Sequence, residues 1–380
     1  MNLIAILTII LGLLYAFLIF AFSRGWRKLK PFGSENNQEI KPGFFVSIVI
    51  AARNEEKNIG SCLNDLLDQD FPSGNFEIIV VDDHSEDATA LLVHKNIQSN
   101  AHLKLISLAD LTNEAYGKKA AIAAGVALAR GELIITTDAD CRFTNQWLKT
   151  MVAYYQRFRP AMIIGPVSFF PQRSFWGKFM ELEFISLVAA GAGALALKRP
   201  MMCNGANLAF TREAFSAVNI YKENIKWASG DDMFLMHGIR KKYGASAIHF
   251  LMAAPAIVRT WPPKSLKGFL AQRKRWGSKT RAYPQTFTAA VAVVVFLNSL
   301  ILLSTSVLSV FSPALMFAVF AGWVLKTLSD FMLIFPASAF FNRRYLMPWF
   351  IPFQAVHVLY IVVAALSGLF SGFQWKGRRL

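Results

Sequence analysis

Apolar residues form long uncharged tracts at both ends of the chain and alternate with polar residues in between. Residues 3–22 carry no charge and reach the length of about 20 residues that a membrane-spanning helix needs. Residues 286–325 are long enough for two spans, separated at Ser312-Pro313, and residues 345–370 form a further apolar tract. The pattern predicts an N-terminal anchor and about three C-terminal spans.

The middle of the chain alternates between strand patterns and helix patterns. Strands are predicted at residues 46–51, 77–81, 104–108 and 133–137. Helices are predicted after them, at residues 58–67, 87–97, 118–129 and 146–158. Because strands that alternate with helices are joined by right-handed crossovers, the predicted fold class is α/β, with a mostly parallel, Rossmann-like sheet flanked by transmembrane helices.

These patterns divide the chain into four parts. Residues 1–23 form the anchor, 24–42 a basic juxtamembrane linker, 43–284 one domain that ends in an interfacial helix, and 285–380 the C-terminal transmembrane region. Arg24, Arg27 and Lys28 follow the anchor, and the positive-inside bias puts them and the domain in the cytoplasm. The chain is therefore predicted to be an integral protein of the inner or plasma membrane. The exact topology stays open. Four spans would leave the basic C-terminal tail outside, against the positive-inside bias.

Composition and charge narrow the classes of partner. A hydrophobic fraction of 54% and a mean hydropathy of +0.37 exclude an ordinary soluble protein. The formal net charge of +16 suits nucleic acid, anionic lipid head groups or phosphate-bearing substrates. Because apolar tracts lie at both ends, membrane lipids and phosphate-bearing substrates are the predicted partners, and nucleic acid is not. The isolated Cys62, Cys141 and Cys203 have no metal or redox spacing, which is typical of a reduced compartment.

Polar and acidic side chains follow three predicted strands at the point where each strand ends. They are Arg53 and Glu55 after the first strand, Asp82 and Asp83 after the second, and Asp138 and Asp140 after the fourth. Ligands of parallel α/β sheets bind at the carboxyl ends of the strands, so these side chains are expected to share one edge. Turn formation or helix capping explains any one set. The three sets together favour a ligand-binding site.

The two aspartates around Ala139 indicate a metal. In an extended segment residues i and i+2 point the same way, so Asp138 and Asp140 are expected to face one spot. Paired carboxylates attract Mg²⁺ or Mn²⁺, which prefer a few protein oxygens plus substrate phosphates. Asp82 and Asp83 suit the ribose hydroxyls and base N–H groups of a nucleotide. The sequence contains neither the dinucleotide motif nor the P-loop motif, which disfavours those two classes.

Two later segments add candidate chemistry. Asp231 and Asp232 could supply a general base that deprotonates an acceptor hydroxyl, or they could enrich a helix N-terminus in acid. Gln272, Arg275 and Trp276 share one helical face, and an amide, a guanidinium and an indole can hold a sugar and its phosphates. The alternative is a basic interfacial helix that binds anionic lipids.

Taken in order, these segments resemble the family 2 glycosyltransferases, in the membrane-embedded branch that includes cellulose, chitin, hyaluronan and poly-N-acetylglucosamine synthases. The matching motifs are V-V-D-D-H-S-E-D-A-T at residues 80–89, G-K-K-A-A at 117–121, T-D-A-D at 137–140, C-N-G-A-N-L-A-F at 203–210, G-D-D at 230–232 and Q-R-K-R-W at 272–276. Two positions depart from the family pattern. His84 stands where glycine is commoner, and Gly230-Asp231 replaces Thr-Glu.

The resemblance implies a nucleotide-sugar-binding domain of the GT-A fold and an inverting transfer to a hydroxyl of a lipid or glycan. It implies a UDP-sugar donor held by Arg53, Glu55, Asp82, Asp83, Lys118, Asp138, Gln272, Arg275 and Trp276. It implies an acceptor side at Asn204, Gly205 and Asn207, and Mg²⁺ or Mn²⁺ at Asp138 and Asp140. Asp232 becomes the catalytic base, with Asp231 as the competing candidate.

Several alternatives remain at this stage. The enzyme could add one sugar to a lipid, or it could be a processive polysaccharide synthase with a partner subunit. A non-catalytic nucleotide- or glycan-sensing membrane protein would require a broken site, yet the acidic motifs are intact. The apolar residues 182–197 predict either a buried helix or an interfacial helix that presents a lipid-linked acceptor. Lys326 and Asp330, four residues apart, form either a self-shielding ion pair or the lining of a polar path.

Overall fold

The computed structural model describes residues 3–33, 40–41, 43–111, 117–218, 231–278, 286–370, 374–375 and 378–379. These residues fall into two compact units. The sheet unit comprises Leu29–Phe169 and Met202–Trp261. The helical unit comprises Met1–Lys28, Phe170–Met201 and Pro262–Leu380.

The sheet unit alternates strands and helices as the sequence predicts. Its strands are β1 (Val46–Ala52), β2 (Phe76–Asp82), β3 (Leu103–Ser107), β4 (Leu133–Asp138), β5 (Met162–Ile164), β6 (Val167–Phe169), β7 (Leu208–Thr211), β8 (Ile248–Phe250) and β9 (Val258–Thr260). Its helices are α2 (Ile59–Leu67), α3 (Thr89–Ile97), α4 (Leu108–Leu111), α5 (Lys118–Leu128), α6 (Trp147–Phe158), α8 (Arg212–Val218) and α9 (Asp231–Tyr243). The eight elements predicted between residues 46 and 158 are all present.

The main sheet has seven strands in the order β3-β2-β1-β4-β7-β5-β8. The pairs from β3 to β4 are parallel, β7 is antiparallel to both neighbours, and β5 and β8 are parallel. Every residue of β2 is buried, which is typical of a parallel strand covered on both faces. On one face α5 lies so close that a Cβ at Gly125 would be 2.4 Å from Val49 Cγ1. The predicted α/β class with a mostly parallel sheet is confirmed.

The helical unit consists of α1 (Leu3–Lys28), α7 (Phe175–Ala196), α10 (Leu266–Ser278), α11 (Thr286–Leu308), α12 (Met316–Phe340) and α13 (Phe350–Phe370), followed by a short pair of strands, β10 (Gln374–Trp375) and β11 (Arg378–Arg379). In the described part of the chain, five helices are long and apolar enough to cross a membrane. They are α1, α7, α11, α12 and α13, the last two with the turns that precede them. The predicted anchor and three C-terminal apolar segments are therefore helices.

Helices α1 and α12 run side by side in the same direction. Ala5 packs with Ala318 near their N-termini, Tyr15 donates to Asp330 at 2.6 Å midway, and the rings of Trp26 and Phe340 meet near their C-termini. The backbones of α7 and α1 are in close contact. A Cβ atom added at Gly25 would lie only 2.0 Å from the Gly193 carbonyl oxygen. Glycine at both positions lets the two helices approach this closely.

Helix α7 begins earlier than the apolar pattern suggests. The apolar stretch predicted at residues 182–197 starts beside Glu181 and Glu183, whereas the helix starts at Phe175. Ser174 caps it, since its side-chain oxygen accepts from the Gly177 backbone amide. Glu181 and Glu183 are inside this helix and buried, which the sequence pattern alone did not indicate.

Candidate active site

The candidate site lies where β1, β2 and β4 end. The parallel register pairs Ala52 of β1 with Asp82 of β2, and Ala51 with Asp138 of β4. The three sets of polar residues that follow these strands are therefore delivered to one edge of the sheet, as predicted from the order of elements.

Asp82 and Asp83 form a buried pair of carboxylates at this edge, 7% and 2% exposed. Asp83 Oδ1 accepts from the Gly117 backbone amide at 3.0 Å, and Asp82 Oδ2 accepts from the Ser85 amide at 3.2 Å. Their remaining oxygens, Asp82 Oδ1 and Asp83 Oδ2, are buried and have no hydrogen-bond partner among the residues that the structure describes. Leaving a buried carboxylate oxygen unpaired is costly, so both oxygens are suited to donors supplied by a ligand.

The turn after these aspartates is held in an unusual backbone conformation. His84 has φ +57°, in the left-handed region that favours glycine, which explains why glycine is commoner in the family motif at this position. Its Nδ1 lies 3.2 Å from Asp83 Oδ1. Arg53 reaches over from the end of β1 and donates from Nη1 to the Asp83 carbonyl at 3.0 Å. The first two strand ends therefore hold each other in place.

The aspartates of the predicted metal motif do not share an extended segment. Strand β4 ends at Asp138, and Ala139 and Asp140 form a turn in which the Cys141 amide donates to the Asp138 carbonyl at 3.1 Å. The premise that alternation along a strand aims both carboxylates at one spot is therefore wrong, because the strand ends two residues before Asp140. The turn brings the two charges near each other instead.

Asp140 lies in a concentration of negative charge. Burial and the nearby charges of Asp138 and Glu55 raise its pKa to about 6. Thr260 Oγ1 donates to Asp140 Oδ2 at 3.2 Å from β9, a contact across 120 residues of sequence that no motif signalled. Lys118, at the N-terminus of α5, forms an ion pair with Asp138. One ammonium thus partly compensates three carboxylates.

Asp232 occupies the start of α9 and faces the Asn204–Gly205 loop. Its Oδ1 accepts from the Met233 amide at 2.8 Å, and its Oδ2 accepts from the Gly205 amide at 3.1 Å. A Cβ at Gly205 would lie 3.5 Å from Lys118 Nζ and 3.7 Å from Asp232 Oδ2. The structure therefore brings Asp232, Gly205, Lys118 and Asp138 together. The side chain of Asp231 and the preceding Gly230 lie outside the described residues.

Asn207 is in the core and uses its whole amide. Its Nδ2 donates to the carbonyls of Pro166 and Ala256 at 2.9 and 2.8 Å, and its Oδ1 accepts from Trp147 Nε1 at 3.1 Å. Asn207 thus supports the Asn204–Gly205 loop, which is the predicted acceptor side, from behind. Asn204 is half-buried, and its Oδ1 accepts from the Ala206 amide at 3.0 Å within the loop.

Gln272, Arg275 and Trp276 belong to the helical unit. All three are on α10, which confirms the predicted helix, and all three are half-buried. Arg273, between them in the motif, is buried, and sequence reasoning gave it no role.

Comparison with known proteins identifies the family. The chain matches glycosyl transferase family 2 over residues 47–218 and glycosyl transferase family group 2 over residues 133–367. The second match covers more than half of the chain, which therefore belongs to glycosyl transferase family group 2. This membership confirms the predicted class of enzyme, a glycosyltransferase.

Individual relatives are more distant. The chain is 30% identical to the glycosyltransferase AglE of Haloferax volcanii, over 33% of this chain and 40% of that protein. It is 30% identical to the beta-monoglucosyldiacylglycerol synthase of Nostoc sp., over 40% of this chain and 30% of that protein. The chain thus spans less than half the length of these curated relatives.

A solved structure resembles the whole chain. It is the mannosyltransferase PcManGT from Pyrobaculum calidifontis, in complex with GDP-Man and Mn²⁺. The TM-score is 0.58 at 18% identity, and the match covers 97% of this chain and 99% of that one. The likeness and the family together confirm the predicted GT-A fold.

Proposed function

We propose that this protein is a membrane-anchored inverting glycosyltransferase that moves a sugar from a nucleotide sugar, a UDP-sugar, to a hydroxyl of a lipid acceptor. The observation that carries the proposal is the set of carboxylates at one sheet edge. Asp82 and Asp83 present buried oxygens with no partner among the described residues, while Asp138, Asp140 and Asp232 lie around the Lys118 ammonium.

Asp82 and Asp83 are assigned to the nucleoside. An N–H of the base and a hydroxyl of the ribose are donors, and they satisfy the two oxygens that have no partner in the described part of the chain. The Gly117 amide and Arg53 keep Asp83 in its orientation, so the pair is in place before the donor binds. Glu55 extends the same edge.

A divalent cation fits Asp138 and Asp140. In the described residues no three His, Cys, Asp or Glu side chains form a closed metal cage, and Mg²⁺ or Mn²⁺ is commonly held by one or two carboxylates plus substrate phosphates. Burial, and after it the charges of Asp138 and Glu55, raise the pKa of Asp140, and a cation bound at this turn would offset those charges. When bound there, the metal neutralises charge on the leaving diphosphate.

Asp232 is assigned the role of general base. It takes the proton of the acceptor hydroxyl, whose oxygen attacks the anomeric carbon on the face opposite the diphosphate. The new carbon–oxygen bond forms as the bond to the diphosphate oxygen breaks. Lys118 stabilises the charge on the departing group. The Gly205 amide holds the Asp232 carboxylate in position, and Asn207 supports that loop.

The membrane helices and the names of relatives support a lipid acceptor. One relative is a beta-monoglucosyldiacylglycerol synthase, and another, 39% identical over 28% of this chain, is an undecaprenyl-phosphate 4-deoxy-4-formamido-L-arabinose transferase of Aeromonas hydrophila. The apolar helices α1, α11, α12 and α13 hold the enzyme in the membrane, where such an acceptor also lies. The basic residues in the last turn of α1, Arg27 and Lys28, support a sheet unit on the cytoplasmic side.

Nucleotide release tests the proposal. The full chain in detergent is given UDP-glucose, UDP-N-acetylglucosamine, UDP-galactose or GDP-mannose with a membrane lipid extract, with Mn²⁺ or with EDTA. We expect release of UDP from one donor, loss of release in EDTA, and loss in Asp138→Ala. The matched control is Asp70→Ala, an exposed aspartate paired with Lys149 in the same unit.

The outcomes separate the related functions. Release of GDP with GDP-mannose alone changes the donor class, and a long glycan product points to a processive synthase. A protein that neither binds nor turns over any of the four donors contradicts the proposal.

A further inference from the structure

The helix that carries the Q-x-x-R-W motif is fastened to α7 by a buried ion pair. Arg273, the second residue of the motif, is 6% exposed, and its partner Glu183 of α7 is 5% exposed. Arg273 Nε donates to Glu183 Oε1 at 3.0 Å, and Nη2 donates to Oε2. This two-pronged contact fixes the plane of the guanidinium. Tyr360 of α13 also donates to Glu183 Oε1, at 3.2 Å.

The same guanidinium contacts two other residues of the motif. Arg273 Nη1 donates to Gln272 Oε1 at 3.0 Å. Its Cζ lies 4.2 Å from the centre of the Trp276 ring, within the range of a cation–π interaction. Arg273 is thus held by α7 on one side and sets the orientation of an amide and an indole on the other.

The orientation of Gln272 has a chemical consequence. A guanidinium carries only donors, so the atom of Gln272 that meets Arg273 is the carbonyl oxygen. The Nε2 amino group is then the end of the amide that can donate to a ligand, such as a phosphate or sugar oxygen. Without Arg273, this contact no longer fixes which end of the Gln272 amide, the oxygen or Nε2, is presented to a ligand.

A second buried ion pair on α7 shows what a purely structural contact looks like. Glu181 is fully buried, pairs with Arg343 Nε at 2.6 Å and accepts from Tyr345 Oη at 2.8 Å. These partners lie outside the motif. Well-packed apolar residues join helices at least as effectively as buried ion pairs do. The contacts that distinguish Glu183 and Arg273 are those to Gln272 and Trp276.

We propose that Glu183 and Arg273 are positioning residues for the nucleotide-sugar donor. The inference rests on the proposed function and on the resemblance to the family motif, which implies that Gln272 and Trp276 bind that donor. Glu183 orients Arg273, and Arg273 presets the amide of Gln272 and the ring of Trp276. A preset amide and ring do not have to be ordered when the donor arrives.

Variants of the two residues test this inference in the full chain in lipid nanodiscs. Glu183→Gln and Arg273→Lys are compared with Glu181→Gln as the matched control, by donor KM, kcat and Tm. We expect both test variants to lower kcat/KM about tenfold or more, chiefly through donor KM. We expect Glu181→Gln to lower Tm at least as much and to leave donor KM unchanged.

The charge swap Glu183→Arg with Arg273→Glu separates positioning from a merely structural pair. An ion pair between α7 and α10 is restored, but a carboxylate at position 273 can neither donate to Gln272 nor lie as a cation over Trp276. We expect Tm to recover and donor KM to stay high. Recovery of both overturns the inference. If the charge-swapped chain does not fold, Arg273→Lys decides between a positioning role and a merely structural one, because this single variant needs no new buried partner.

The activity of the wild type keeps the two proposals apart. A wild type that turns over a donor, with donor KM unchanged in Glu183→Gln, overturns the positioning role and leaves the proposed function intact. A wild type that binds and turns over none of the four donors overturns the proposed function, and the positioning role falls with it.

Discussion

At the scale of single residues, the assignment of Asp232 leads to a direct prediction. Its carboxylate accepts from two backbone amides, so Asp232→Asn keeps the volume and one acceptor but removes the base. We expect kcat to fall by about 10²–10⁴-fold, while nucleotide binding changes only a few-fold. Single-turnover kinetics and a nucleotide titration measure the two quantities. Asp231→Asn is the matched control, and the opposite pattern would transfer the role to Asp231.

Asn207 carries a prediction about stability. Removing its amide takes a hydrogen-bond partner from the Ala256 carbonyl and the Trp147 indole, while the Pro166 carbonyl keeps the Val258 amide. We expect this loss to cost about 2–4 kcal/mol in the free energy of unfolding. We expect Asn207→Ala to lower Tm strongly. We expect the control Asn204→Ala, a half-buried loop residue, to lower it much less. Thermal unfolding in detergent measures both changes in Tm. Equal losses of Tm would mean that the hydrogen bonds of Asn207 contribute little to stability.

At the scale of secondary-structure elements, Lys326 ties three helices together inside the apolar bundle. It is fully buried and donates to Asp330 on α12 at 2.7 Å and to Gln354 on α13, while Tyr15 on α1 donates to Asp330. Both charges are therefore neutralised within the protein. Of the two alternatives weighed from the sequence, this favours the self-shielding ion pair.

Breaking this pair from one side is expected to be worse than removing it. Lys326→Met leaves Asp330 as a buried anion and should destabilise the chain by about 3–5 kcal/mol. The double variant Lys326→Met/Asp330→Asn should recover most of that loss, because no charge remains buried. Thermal unfolding of both variants in the same detergent measures the difference. A single variant as stable as the wild type would instead favour the polar path.

Elements with a local signal could be predicted from the sequence, and contacts between distant elements could not. The residues of β1, β2 and β4 show a strand pattern and are followed by turn residues. The carboxyl ends of these strands, and with them the positions of Asp82 and Asp138, could therefore be predicted. The position of Asp140 is set by a turn rather than by β4. This could not be predicted, because the sequence pattern does not fix the last residue of a strand. The contact of Glu183 with Arg273 joins residues 90 apart, and one sequence carries no signal for it.

At the scale of the whole chain, connectivity decides how many of the five apolar helices cross the membrane. Helix α7 has 22 residues, enough to span about 33 Å. Yet both of its flanks return to the sheet unit, since β6 before it pairs with β9, and β7 after it pairs with β4. A crossing would require residues 197–207, which include no helix, to cross back through lipid with unpaired backbone groups.

The contacts of α7 agree with this argument. Its C-terminal half meets Gly25 and its N-terminal half meets Arg343, near the C-terminal ends of α1 and α12, which run in the same direction. Both halves of α7 therefore touch the same end of the bundle. We therefore predict four crossings, by α1, α11, α12 and α13, with α7 at the end of the bundle that carries the basic last turn of α1.

Labelling of single cysteines with a membrane-impermeant maleimide tests this topology. In a Cys203→Ser background, where the remaining Cys62 and Cys141 are buried, cysteines replace Arg173 and Lys198 on the two flanks of α7. Because α7 does not cross, we expect both to react in inverted vesicles and neither in right-side-out vesicles. The control is a cysteine at the exposed Phe311, in the turn between α11 and α12, which should react in the opposite orientation. Labelling of positions 173 and 198 from opposite sides would make α7 a fifth span and would require residues 197–207 to cross the bilayer.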